Sequence, residues 1–90
     1  MSLIQITELS AAELRQALDA ALARDGDPSV VAAFTASVDW SGWEDAPAEL
    51  RELLGKLEAW TVEVDEGGMQ RAEYKELLQN ALASRAARVN

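Results

Sequence analysis

Apolar residues recur every three or four positions in four stretches of this chain, the spacing that lines side chains along one face of an α-helix. Leu14, Ala17, Leu18, Ala21 and Leu22 form the first stripe, and Val30, Val31, Phe34 and Val38 the second. Leu50, Leu53, Leu54, Leu57, Thr61 and Val64 form the third, and Tyr74, Leu77, Leu78, Ala81 and Leu82 the fourth. The pattern predicts an all-α fold, a small bundle of about four helices over residues 10–24, 28–40, 46–66 and 70–86 with short loops. Residues 1–90 are then a single helical domain, with a flexible N-terminus at 1–8 and a frayed tail at about 86–90.

The residues between the stripes support these boundaries. Ser10 with Glu13 three positions later is a capping box, and Leu9 and Leu14 stand where a hydrophobic staple closes over it. In Asp25-Gly26-Asp27-Pro28 the glycine suits a helix C-terminus, the second aspartate caps the next helix, and the proline is pre-set for its first turn. Residues 39–47 form the main irregular segment. Gly67 or Gly68 closes the third helix in the left-handed conformation. Trp60-Thr61-Val62-Glu63-Val64 also alternates like a strand, but it continues a strong helical stripe and has no evident pairing partner, so helix is expected. Arg85 falls inside the fourth stripe, between Leu82 and Val89. Either packing ends near Ala83, or Arg85 meets a carboxylate there.

Composition narrows the function. A chain of 90 residues buries only about 60–65% of its unfolded surface, so self-association is a natural source of extra stability. Sixteen Asp and Glu against eight Lys and Arg leave a net charge of −8, which disfavours nucleic acid and anionic membrane surfaces as partners. No run resembles a signal peptide or a membrane span, and a cytoplasmic protein is expected. The charge is uneven. Residues 1–68 hold fourteen acids and four bases, net −10, whereas residues 69–90 hold four bases and two acids, net +2. The basic end can dock on the acidic middle of its own or another chain, or can simply complement a helix dipole.

Catalytic chemistry finds little footing. Without His or Cys the chain lacks the commonest general base and the commonest activated nucleophile. Asp25, Asp27 and Ser29 match the first ligand spacing of an EF-hand, but Val30 replaces the required glycine and Ala36 the bidentate glutamate, which leaves a capped turn. Size, acidity and Ser29 at a helix start resemble the acyl carrier proteins. In that family the modified serine directly follows Asp, whereas Pro28 intervenes here, so the likeness stops at size and charge. No metal, cofactor or catalytic residue is assigned.

Three tryptophans remain, Trp40, Trp43 and Trp60. Helical geometry puts each at the border of the core, within the stretch 39–66 that holds nine acids and two bases. They form either a lid over the bundle end near Trp60, or the exposed anchors of an acidic surface, with Lys56 placed to lie across the Trp60 ring. The sequence thus points to a non-enzymatic module that binds a basic protein partner through Trp40, Trp43, Glu44, Asp45, Trp60 and Glu63. An immunity protein or antitoxin-like inhibitor has this profile. The alternative is a self-associating, dimeric structural or regulatory module.

Overall fold

The computed structural model describes residues 3–84, and within them the four amphipathic stripes become four α-helices. The first, α1 (Ala11–Ala23), starts on the expected capping box: Ser10 Oγ accepts from the Glu13 N–H at 3.2 Å, and the Glu13 carboxylate accepts from the Ser10 N–H at 3.1 Å. Leu9 and Leu14 are both buried beside it, as a staple requires. Asp27 caps α2 (Pro28–Ala36) by accepting from the Ser29 N–H at 2.9 Å, with Pro28 in the first turn. Then follow α3 (Ala48–Asp65) and α4 (Arg71–Leu82).

Two helices end in the same motif with different residues. Past α3, Gly67 adopts φ +85°, the Gly68 N–H reaches Glu63 O at 2.8 Å and the Gly67 N–H reaches Val64 O at 3.3 Å. This is the Schellman pattern, which satisfies the orphan carbonyls of the last turn. Past α1 the same two bonds form, from the Gly26 N–H to Ala21 O and from the Asp25 N–H to Leu22 O. There the left-handed position belongs to Asp25, at φ +60°, and Gly26 follows at φ +70°. Lys75 holds this unusual aspartate from α4, its Nζ 2.6 Å from Asp25 Oδ1, and Arg71 Nη1 donates to Asp25 O at 3.3 Å. The basic residues of α4 therefore engage the α1–α2 turn.

The second stripe ends earlier than its sequence pattern predicts. Helix α2 stops at Ala36, where the Ser37 hydroxyl turns back onto Phe34 O at 2.6 Å. Val38–Asp39 becomes a short strand, β2, paired in parallel with β1 (Ile4–Gln5). The expected helix to residue 40 fails because the β-branched Val38 buries its side chain from an extended backbone, and because Ser37 O accepts from the Ile4 N–H at 2.9 Å. The described part of the expected flexible N-terminus is correspondingly ordered into structure. After β1, a 3-10 turn over Ile6–Glu8 places Ile6 fully in the core. The frayed tail expected at 86–90, the last residues of the predicted 70–86 helix, and Arg85 lie outside the described residues.

One cluster of buried side chains draws on every helix: Leu14 and Leu18 from α1, Val31 from α2, Leu54 and Leu57 from α3, and Tyr74 and Leu78 from α4. Its one polar pair is internal. Thr61 Oγ1 donates to Leu57 O at 2.7 Å, which uses its only hydrogen, so the Tyr74 hydroxyl must be the donor in the 2.8 Å contact between them. Residues 60–64, strand-like in sequence, are helical because Thr61 and its neighbours continue the buried face of α3.

Contacts also fix the direction of α4. Its first turns meet the C-terminal ends of α1, through Lys75 and Asp25, and of α3, through Tyr74 and Thr61. Packed on both helices, α4 runs antiparallel to them and carries the chain back to the end of the bundle where α1 and α3 begin.

Candidate interaction surface

That end of the bundle is built by residues 39–46. Asp39 Oδ1 accepts from the Ser41 N–H at 2.9 Å, closing an Asx turn that starts the reversal. This bond holds the Asp39 carboxyl below its ordinary pKa. Gly42 completes the turn at φ +78°, a conformation open to glycine and costly for most other residues. Trp43–Asp45 then forms a 3-10 turn, with Ala46 buried beneath it.

The turn brings two of the three tryptophans together. The Trp40 and Trp43 ring centroids are 5.2 Å apart with planes inclined at 40°, within the range of favourable aromatic pairs. Trp40 is anchored by its indole N–H, which donates to Thr35 O at 3.2 Å across the end of α2. Both rings rest against the core and both remain half-buried. Glu44 and Asp45, next in the chain, are exposed. The result is a tilted aromatic pair with two exposed carboxylates next in the chain.

The N-terminal segment contributes to the same end, which sequence reasoning missed. A Cβ on Gly42 would lie 3.6 Å from Thr7 Cγ2, so the 3-10 turn Ile6–Glu8 packs against the tryptophan turn and adds the exposed Glu8. The available signal was the Ile4-Gln5-Ile6 alternation, a short strand-like pattern.

Trp60 and Glu63 stand elsewhere. Trp60 is twelve residues beyond Ala48, about 18 Å of helix rise along α3, and among the described residues no ring contact joins it to the other two. The expected lid over Trp60 is therefore not formed; Trp40 and Trp43 cover the opposite end. Glu63 folds over the loop after α3, its carboxylate against Gly68. Lys56 does not lie over Trp60 but pairs with Glu52 at 3.1 Å, a favourable i, i+4 contact.

Elsewhere the carboxylates serve the fold. Lys75 holds the Asp25 carboxyl below its ordinary pKa, and the Ser29 backbone and hydroxyl do the same for Asp27. A general acid at neutral pH needs the opposite shift. These two aspartates and Ser29 form the capped turn that the EF-hand spacing reduces to. Among the described residues no group of three or more acidic side chains converges as a metal site, and no helix is long and apolar enough to cross a membrane. Comparisons with family models, with curated proteins and with solved structures give no match to this chain.

Proposed function

We propose that this protein is a non-enzymatic, acidic interaction module that receives a basic protein partner on the surface formed by Trp40, Trp43, Glu44 and Asp45, in the cytoplasm. The observation that carries the reading is the tilted, half-exposed indole pair, followed directly in the chain by two exposed carboxylates. Such a surface suits a Lys or Arg side chain, which stacks on an indole face while its charge meets a carboxylate. A net charge of −7 over residues 39–66 extends the attraction beyond contact distance and speeds capture, while the rigid aromatic pair slows release. An immunity protein or antitoxin-like inhibitor of a basic toxin works in this way. The reading rests on these four residues, with Trp60 and Glu63 set apart along α3.

Pull-down with the full chain from the native cytoplasm, run beside Trp43→Ala and the double variant Glu44→Lys/Asp45→Lys, tests it. A basic protein should be retained by the wild type, released by about 0.5 M salt, and weakened at least tenfold by either variant. Capture that ignores both variants and the salt overturns the reading.

A second reading, self-association, is favoured by a shallow, largely apolar groove of about 430 Å³ between α1 and α2, lined by Ile4, Ala17, Ala20, Val30 and Phe34 together with Glu13 and Gln16. Its support would be a dimer in light scattering at micromolar concentration, weakened by Phe34→Glu.

A further inference from the structure

A surface helix turns its apolar side chains to the core and its charges to water, and α3 departs from that rule along its C-terminal half. Leu50, Leu53, Leu54, Leu57 and Thr61 are buried on one face. At about 100° per residue, Gly55, Ala59 and Val62 fall within about 60° of one another on the opposite face, and all three are exposed. Val62, at 48%, is one of two large apolar side chains left exposed among the described residues. Gly55 is a second anomaly. A mid-helix glycine is destabilising relative to alanine, and a Cβ there meets nothing within 4 Å, so the packing of this chain gives no reason for it. Close approach of another backbone does.

The surroundings of the strip say what chemistry covers it. Val62 stands between two hollows. One, shallow and about 410 Å³, runs along Gly55, Ala59 and Val62 with Glu58 and Glu63 at its sides. The other, about 470 Å³, lies where α2, α3 and α4 meet, with Pro28, Ala32, Thr61 and Val62 as its apolar wall and Asp27, Asp65 and Arg71 around them. Between Lys56 and Arg71 the chain carries four acids, Glu58, Glu63, Asp65 and Glu66, and no base. Glu58 and Asp65 lie about 60–80° to one side of the strip and Glu63 about 80° to the other, so the apolar centre has an acidic border on both flanks. Side chains one turn apart on a helix are about 5–6 Å from each other, a spacing that straddles a single side chain such as Val62.

We infer that this strip is the docking site for a basic amphipathic helix of a partner protein. The apolar side chains of that helix occupy the two hollows astride Val62, its backbone passes close over Gly55 and Ala59, and its lysines or arginines meet Glu58, Glu63 and Asp65. A second copy of this chain is a poor occupant, because it sets the same acids against one another. The site is separate from the tryptophan surface, since Val62 lies fourteen residues beyond Ala48, about 21 Å along α3.

The test is calorimetric titration of the full chain with an amidated leucine-lysine peptide of about 15 residues, its leucines at i, i+3 and i+4 on one face. An isomer of the same composition with scattered leucines should bind at least tenfold more weakly, which separates docking from charge attraction alone. Val62→Glu should weaken the striped peptide at least tenfold and Glu58→Gln/Asp65→Gln at least threefold. Gly55→Gln fills the hollow while improving helix propensity, so an at least threefold loss there cannot come from unfolding. Equal affinity for the two peptides, or for wild type and Val62→Glu, overturns the inference. Binding lost in Trp43→Ala and kept in Val62→Glu assigns the peptide to the tryptophan surface, which overturns this site and leaves that reading standing. A wild-type dimer in light scattering that Val62→Glu dissolves also overturns it, because a second copy then covers the strip.

Discussion

At the scale of single residues, the Thr61–Tyr74 pair shows how an entirely buried polar contact stays inexpensive. Tyr74 has no exposure, yet its hydroxyl has an acceptor in Thr61, whose own hydrogen goes to Leu57 O. Thr61→Val removes that acceptor and strands a buried hydroxyl, at a cost of about 1–3 kcal/mol, whereas Tyr74→Phe removes only the donor and costs about 1 kcal/mol. The double variant buries two apolar groups and leaves nothing unpaired. It should therefore be more stable than Thr61→Val alone in urea unfolding, and a double variant no better than the sum of its parts would refute the assignment of donor and acceptor. The same residue sets the alkaline limit. Burial raises the Tyr74 pKa above its ordinary value of about 10, so the folded state holds this proton more tightly than the unfolded chain. Its contribution is complete below the unfolded value and is lost as pH rises through the folded one. The wild type should lose its stability advantage over Tyr74→Phe as pH climbs above about 10, measured as melting temperature against pH for both proteins.

At the scale of elements, two glycines in different backbone conformations carry opposite consequences. Gly55 lies in mid-helix on the exposed face of α3, and a Cβ there meets nothing within 4 Å. Gly55→Ala should stabilise the protein by about 0.5–1 kcal/mol, through the backbone entropy the unfolded chain no longer has to lose. Gly26 sits at φ +70° with the Lys75 stem laid across it, so a Cβ would overlap Lys75 Cγ and push the lysine off Asp25. Gly26→Ala should destabilise by about 1–3 kcal/mol, from the left-handed strain together with the displaced stem. At about 4–8 °C per kcal/mol for a domain of this size, melting curves should move in opposite directions; a rise for Gly26→Ala would refute the account of Gly26, and a fall for Gly55→Ala that of Gly55. The helices themselves were legible because their signals are local: stripes at i, i+3 and i+4, a capping box at Ser10 and Glu13, and Pro28 after Asp27. The strand pair was not, because β1 and β2 are two residues each and their partners lie more than thirty positions apart. No local pattern marks Val38 as the point where the chain leaves α2, since Val38 also completes that helical stripe.

At the scale of the molecule, the acidic aromatic surface was legible as composition but not as geometry. Trp40, Trp43, Glu44 and Asp45 stand out as neighbours in sequence; that Trp60 and Glu63 are remote, and that Thr7 and Glu8 are near, depends on how the ends of the chain meet. Ile6 is the residue that makes them meet. Its side chain is fully buried, and it holds the segment that packs on Gly42 and pairs with β2. With Ile6 at 0% exposure, truncating its side chain leaves a cavity that the close-packed surroundings fill only in part. Ile6→Ala should then cost about 2–5 kcal/mol, a large share of the 5–15 kcal/mol that holds an ordinary domain together. Leu3, three residues earlier and 54% exposed, should tolerate alanine within about 0.5 kcal/mol. A merely flexible lead-in predicts no difference between the two variants in urea unfolding. Because Ile6 supports the tryptophan turn from below, Ile6→Ala should also raise acrylamide access to Trp43 at urea concentrations too low to unfold the bundle. Global unfolding without this earlier change would mean that the N-terminal segment stabilises the core but does not shape the surface.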